Sequence, residues 1–134
     1  MIRYIVDTHA LIWYLTGDAR LGKAAQRILL APASRLILPM IALAEALFIV
    51  EKGKVQISSV ADLIADVTAD ARISIQPLTY DILQESLTLT AIPEMHDRYI
   101  VATGLYLQSL GETVEILTKD NEIIVSKLIR VVWN

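Results

Sequence analysis

The sequence predicts an α/β protein, a parallel sheet covered by helices on both faces. Three observations carry that expectation. Candidate strands alternate with candidate helices along the chain. The strands read as unbroken apolar runs such as "YIV" and "LIL", as expected where both faces of a sheet are buried. Hydrophobic residues make up 54% of 134 residues, enough for a substantial core and for an apolar surface that a partner could cover. No repeat, low-complexity tract or linker divides the chain, so residues 1–134 read as one domain.

The elements follow in order. "RYIVD" is a short buried strand, and "THALIWYLTG" a helix with Thr8 as its cap and Gly17 at its end. "RLGKAAQRILLA" has the spacing of an amphipathic helix, and "RLILP" is a strand stopped by Pro39. "IALAEALFIV" contains no Gly or Pro and is rich in Ala and Leu, so it reads as a helix, running out at Gly53. "SSVADLIADVTADAR" opens on a serine cap and continues with helical periodicity. "ISIQPL" is a strand and "TYDILQESLTLTA" a helix. "MHDRYIVATGLYLQSLG" is a long helix with small residues on one side, closed by Gly111. "VEILTKD" is a strand, "NEIIVSKL" a short helix or turn, and "IRVVW" a last strand. Crossovers between parallel strands should be right-handed, and ligands should bind beyond the carboxyl ends of the strands.

Composition limits the function classes. The chain has no cysteine, which removes disulfides and thiolate metal sites and fits a cytoplasmic protein. The first residues start a strand pattern at once, unlike a signal peptide. The longest apolar run, residues 36–50, is too short to span a bilayer and is interrupted by Pro39 and Glu45, so no membrane role is expected. The net charge of −3 argues against general phosphate neutralisation as a way of holding nucleic acid. A local patch drawn from Arg20, Lys23, Arg27, Lys52 and Lys54, or a bound cation, could still do so.

Glu45 is the anomaly. On a helix its face is shared with Ile41, Ala42, Phe48 and Ile49, all apolar, and an unpaired buried carboxylate is expensive. Three further acids fall where a parallel sheet binds ligands. Asp7 ends the first strand, Asp120 lies just past "EILTK", and Asp97 opens the long helix. Each has an ordinary explanation: Asp7 and Asp97 as helix-start acids, Asp120 with Asn121 as turn chemistry. Gathered in one cleft, they would repel one another by about 4 kcal/mol per pair at roughly 4 Å and an effective dielectric near 20. Either some carry protons or a divalent cation sits among them. All-oxygen ligation suits Mg²⁺ or Mn²⁺, which can bind phosphate oxygens and lower the pKa of a water.

At these residues the sequence resembles the PIN-domain ribonucleases, and within them the VapC-like toxins of type II toxin–antitoxin pairs. "IVDTHALIWYL" resembles the family's opening motif, "IALAEALFIVEKGKVQI" the second, "IPEMHDRYIVATGLYL" the third and "ILTKDNEI" the fourth. The resemblance implies a three-layer α/β/α sandwich with a central parallel sheet. It implies a Mg²⁺- or Mn²⁺-dependent endoribonuclease that hydrolyses RNA phosphodiesters, usually as a homodimer, with a cognate antitoxin protein covering the acidic cleft. Carried over, Asp7, Glu45, Asp97 and Asp120 would be the catalytic, metal-holding acids, supported by Thr118 and Thr8. Many relatives carry a serine three residues before the second acid; here Ala42 stands there, which could remove a hydrogen bond without removing a ligand.

His9 and His96 read as structural or surface residues, and Trp13 and Tyr14 as core and partner surface rather than base-stacking platforms. Two other readings compete. A phospho-acceptor signalling domain would need paired acids after the first strand and a lysine after the last; here Asp7 stands alone and Lys119 precedes an acid. A catalytically silent PIN module acting as a protein-binding scaffold would be marked by loss of one of the four acids, and all four are present.

Overall fold

In the computed structural model, which describes residues 1–134, five short apolar runs form the strands: β1 (Ile2–Val6), β2 (Leu36–Pro39), β3 (Ile73–Gln76), β4 (Thr113–Leu117) and β5 (Val131–Val132). They make one sheet in the order β3-β2-β1-β4-β5. Every pairing is parallel, for example Ile5 beside Ile37, Val6 beside Leu117 and Leu117 beside Val132. The helices are α1 (Thr8–Thr16), α2 (Lys23–Leu30), α3 (Met40–Glu51), α4 (Val60–Ala69), α5 (Tyr80–Ser86), α6 (Met95–Ser109) and α7 (Asn121–Ser126).

Because strand side chains alternate between faces, β1, β2 and β4 each feed two cores. Val6, Leu36, Leu38 and Leu117 pack with Leu11, Leu29, Ala46 and Leu63 on one face. Ile5, Ile37, Val114 and Ile116 pack with Ile82, Ile100, Val101 and Ile123 on the other. Burying each such side chain is worth roughly 1.5–3 kcal/mol. Both faces are therefore covered, and the fold is the α/β/α sandwich expected. Its topology has a consequence for function. Order runs outward through β1, β2 and β3 on one side and through β4 and β5 on the other, so the switch point lies between β1 and β4.

Some boundaries differ from the sequence expectation. The first helix is capped by Asp7, whose side chain accepts the Thr8 N–H, and Thr8 is its first residue rather than its cap. The "TYDILQESLTLTA" helix stops at Ser86. Beyond it, two threonines, weak helix formers, flank Leu89, which turns with Ile92 into the second core. The last strand shortens to Val131–Val132. No helix is long and apolar enough to cross a membrane.

The carboxyl end of β5 is tied to the start of α2. The Ala25 N–H donates to the Trp133 carbonyl at 3.1 Å. Gly22 leaves room for that approach, since a Cβ there would lie 2.1 Å from the Trp133 carbonyl oxygen. Backbone cannot swing aside as a flexible side chain can, so Gly22→Ala should destabilise the protein by about 2 kcal/mol or more. Urea unfolding followed by circular dichroism would read this as a lower midpoint with an unchanged slope.

Candidate functional site

The switch-point crevice collects the sequence's isolated acids and joins them through two threonines. Asp7 follows β1 and is 8% exposed. Its Oδ1 accepts the Thr8 backbone N–H at 2.6 Å. Its Oδ2 accepts the Thr118 hydroxyl at 2.5 Å. Thr118, fully buried after β4, uses the same Oγ1 to accept the Asp120 N–H at 3.0 Å. Its hydroxyl thus donates once and accepts once, which fixes Asp7 relative to Asp120. Asp120 in turn caps α7, its Oδ1 accepting the N–H of Glu122 at 2.9 Å and of Ile123 at 3.3 Å. The turn and cap readings of Asp7 and Asp120 are therefore correct, and both residues still end at the crevice.

Glu45 enters from α3. Thr8 Oγ1 donates to Glu45 Oε1 at 2.6 Å, so one threonine holds Asp7 with its backbone and Glu45 with its side chain. Glu45 is half-buried, which together with this bond explains how an acid survives among apolar neighbours. Ala42 lies in the first core, 1% exposed. The hydroxyl that meets Glu45 here comes from Thr8.

Asp97 is supplied by the first turn of α6 and is 8% exposed. It is not the cap of that helix; Glu94 is, its Oε2 accepting the Asp97 N–H at 2.9 Å. The Asp97 side chain is therefore free of capping. Its pKa is pushed up to about 7, first by burial, then by the Asp120 charge and a hydrogen bond with that carboxyl, and further by Glu94 and Asp7. Burial also raises the Asp7 pKa, against the lowering effect of the Thr118 and Thr8 hydrogen bonds.

Sequence reasoning missed Glu94. The only signal was an acid three residues ahead of Asp97. Its Oε1 lies 2.7 Å from His96 Nδ1. That hydrogen bond is the main cause of a raised His96 pKa; burial opposes it, while the charges of Glu45, Glu94 and Asp97 add to it. His96 thus faces the acid cluster with its protonated form favoured by these neighbours. Burial works against Glu94, yet the hydrogen bonds from His96 and from the His96 and Asp97 N–H groups lower its pKa. His9 is exposed and lies against Trp13, ring centroids 5.5 Å apart. Trp13 is itself a core residue.

The donor set is all oxygen, and it is linked pairwise rather than closed. No three acidic or imidazole side chains converge into a cage for an ion. Mg²⁺ dehydrates reluctantly, keeps several waters and is commonly bound through one or two carboxylates plus phosphate oxygens. The neighbouring negative charge that adds to burial in lifting Asp97 is what a hydrated dication would relieve. The residues fit such an ion with water completing its shell.

A parallel α/β sandwich with carboxylates linked pairwise at its switch point is the class that fold and site define. The chain belongs to the PIN domain family, whose pattern matches residues 4–127. Its fold is shared with VapBC2 from Rickettsia felis, solved bound to a DNA fragment from its promoter (TM-score 0.73, 16% identity, 100% of each chain covered). It is shared with Mycobacterium tuberculosis VapC20, described as a Sarcin-Ricin loop cleaving toxin (0.68, 16%, 96% of this chain and 98% of that one). It is also shared with DNA-bound VapBC from Salmonella typhimurium (0.66, 15%, 98% of each). Among curated proteins, none matches.

Asp97 yields a stability prediction. Its folded pKa of about 7 lies above the 3.8 of an ordinary aspartate, so the folded state binds the extra proton. The associated stability is present below about pH 4 and is lost as pH rises through about 7. In EDTA, the wild type should therefore melt lower at pH 8 than at pH 5. Asp97→Asn should flatten that dependence and melt higher at pH 8 by about 5 °C. Differential scanning calorimetry at the two pH values measures it.

Proposed function

We propose that this protein is a metal-dependent endoribonuclease, the toxin of a toxin–antitoxin pair. The observation that carries the reading is the chain of contacts from Glu45 through Thr8, Asp7 and Thr118 to Asp120, with Asp97 beside it, at the switch point of the sheet. Membership of the PIN domain family and a fold shared with VapC20, described as a Sarcin-Ricin loop cleaving toxin, support it.

In this reading Asp7, Glu45, Asp97 and Asp120 hold Mg²⁺ or Mn²⁺. When bound, the ion supplies charge to a phosphate oxygen and acidifies a water. The chain's own residues set the geometry. Thr118 keeps Asp7 and Asp120 in register, and Thr8 does the same for Asp7 and Glu45. Glu94 caps α6 and so leaves the Asp97 carboxyl facing the crevice. His96, hydrogen-bonded to Glu94, would when protonated counter part of the acid charge at the mouth. Four acids without an ion would repel a phosphodiester, and an ion held by them would offset that charge.

The neighbours described as VapBC complexes support an antitoxin partner. Exposed Leu83, Leu87 and Met95 give the apolar surface that a homodimer or such a partner would cover. The absence of cysteine fits function in the cytoplasm.

Antitoxin-free protein with Mg²⁺ or Mn²⁺ should cleave RNA, and Asp7→Asn or Asp97→Asn should abolish cleavage while both variants stay folded. Undiminished cleavage in EDTA, or by either variant, overturns the mechanism. Thr118→Val keeps every carboxylate but frees Asp7. It should slow cleavage by roughly 10–100-fold, with part of the loss recovered at higher metal concentration. Gel assays on total RNA across a metal titration read both effects.

A further inference from the structure

A second cavity stands beside the acid crevice, and its chemistry is opposite. It encloses about 510 Å³, and its wall includes Arg20, Lys23, Lys119 and Trp133 but no acidic side chain. That is a local reversal in a chain whose net charge is −3. Arg20 is partly neutralised by Asp18, which it meets through two nitrogens at 3.1 and 2.8 Å. Lys23 and Lys119 are exposed and belong to no ion pair.

Topology places this cavity next to the acids. Lys119 lies between Thr118 and Asp120, beyond the end of β4. Trp133 follows β5, which pairs with β4 through Leu117 and Val132. Aromatic rings accompany the cations: Arg20 Cζ lies 4.8 Å and Lys119 Nζ 5.6 Å from the Trp13 ring centroid, and Trp133 packs edge-on to Trp13 at 5.9 Å. The Trp133 backbone is pinned by the Ala25 N–H and by close approach to Gly22, so the wall is preorganised.

Cations alternating with aromatic surface are what a single-stranded polynucleotide uses, phosphates on the lysines and bases on the rings. A strand whose cleaved phosphate lies among four acids also meets repulsion at its neighbouring phosphates, over a range of about 8 Å in physiological salt. Countercharge beside the crevice offsets that. An acidic polypeptide would use the lysines but has no need of the aromatic wall.

We propose that this cavity is the subsite for the RNA strand flanking the cleaved bond, with Lys23 and Lys119 each holding a phosphate and Trp133 stacking a base. The choice of ligand rests on the nuclease reading, but the test does not require cleavage. In the Asp7→Asn background and in EDTA, binding of a labelled oligouridylate of about ten nucleotides is followed by fluorescence polarisation as salt is raised from about 50 to about 200 mM. Adding Lys23→Ala and Lys119→Gln together should weaken binding at low salt at least about 10-fold. It should also make the slope of log affinity against log salt shallower by about 1.4, two phosphate contacts at about 0.7 each. Lys23→Ala alone should give about half that change in slope. An unchanged affinity and slope in both variants overturns the proposal. So does RNA affinity that survives while polyglutamate affinity is lost, which assigns the cavity to an acidic polypeptide. If the wild type cleaves no RNA but the slopes change as stated, the subsite stands and the nuclease reading falls. If cleavage is robust and the slopes do not change, the reverse holds.

Discussion

The structure turns on one buried hydroxyl. Thr118 accepts from the Asp120 N–H and donates to Asp7, so a single oxygen at the end of β4 locks the carboxylate at the end of β1. A hydroxyl can be satisfied both ways only if both partners are in place. Parallel pairing of β1 with β4, Val6 beside Leu117, brings those partners to the same height. If the two strands slipped by one residue, the contact would be lost and every side chain on the shifted strand would face the wrong core. Fold register and site geometry are therefore set by the same constraint.

Around that lock, elements do double duty. Asp7 and Asp120 are both helix caps and crevice acids, each giving one oxygen to backbone N–H groups, while the second oxygen of Asp7 takes the Thr118 hydroxyl. Thr8 serves as a helix start and as a bridge to Glu45. Glu94 takes the capping duty of α6 and so spares Asp97. Helix N-termini carry partial positive charge that favours nearby anions. Capping is thus compatible with, and partly offsets, the accumulation of acids. Burial first, and then the repulsion that remains, raise the pKa of Asp97.

Charge is distributed by region. The β1–β4 crevice is acidic, while the cavity beyond β4 and β5 is basic and aromatic. The net charge of −3 averages these regions and on its own pointed away from nucleic acid. Arg20 and Lys23 stood in the candidate basic patch read from the sequence. Arg27, Lys52 and Lys54 do not join them at this cavity, and Lys119 does.

The sequence by itself determined the alternation of strands and helices, because apolar runs and capping residues are local signals. It also marked Asp7, Glu45, Asp97 and Asp120, because each acid interrupts an apolar pattern, follows a strand or opens a helix. Only the tertiary structure decided what those acids touch. The Thr118–Asp7 bond joins residues 111 positions apart and the Thr8–Glu45 bond residues 37 apart, distances over which no local propensity speaks. The same holds for Glu94, whose part depends on where the first turn of α6 points. It holds for Trp133 too, whose neighbours Trp13 and Gly22 are set by the pairing of β5 with β4. Short-range preference selects elements; only the packing of both faces of the sheet fixes which side chains meet at its carboxyl edge.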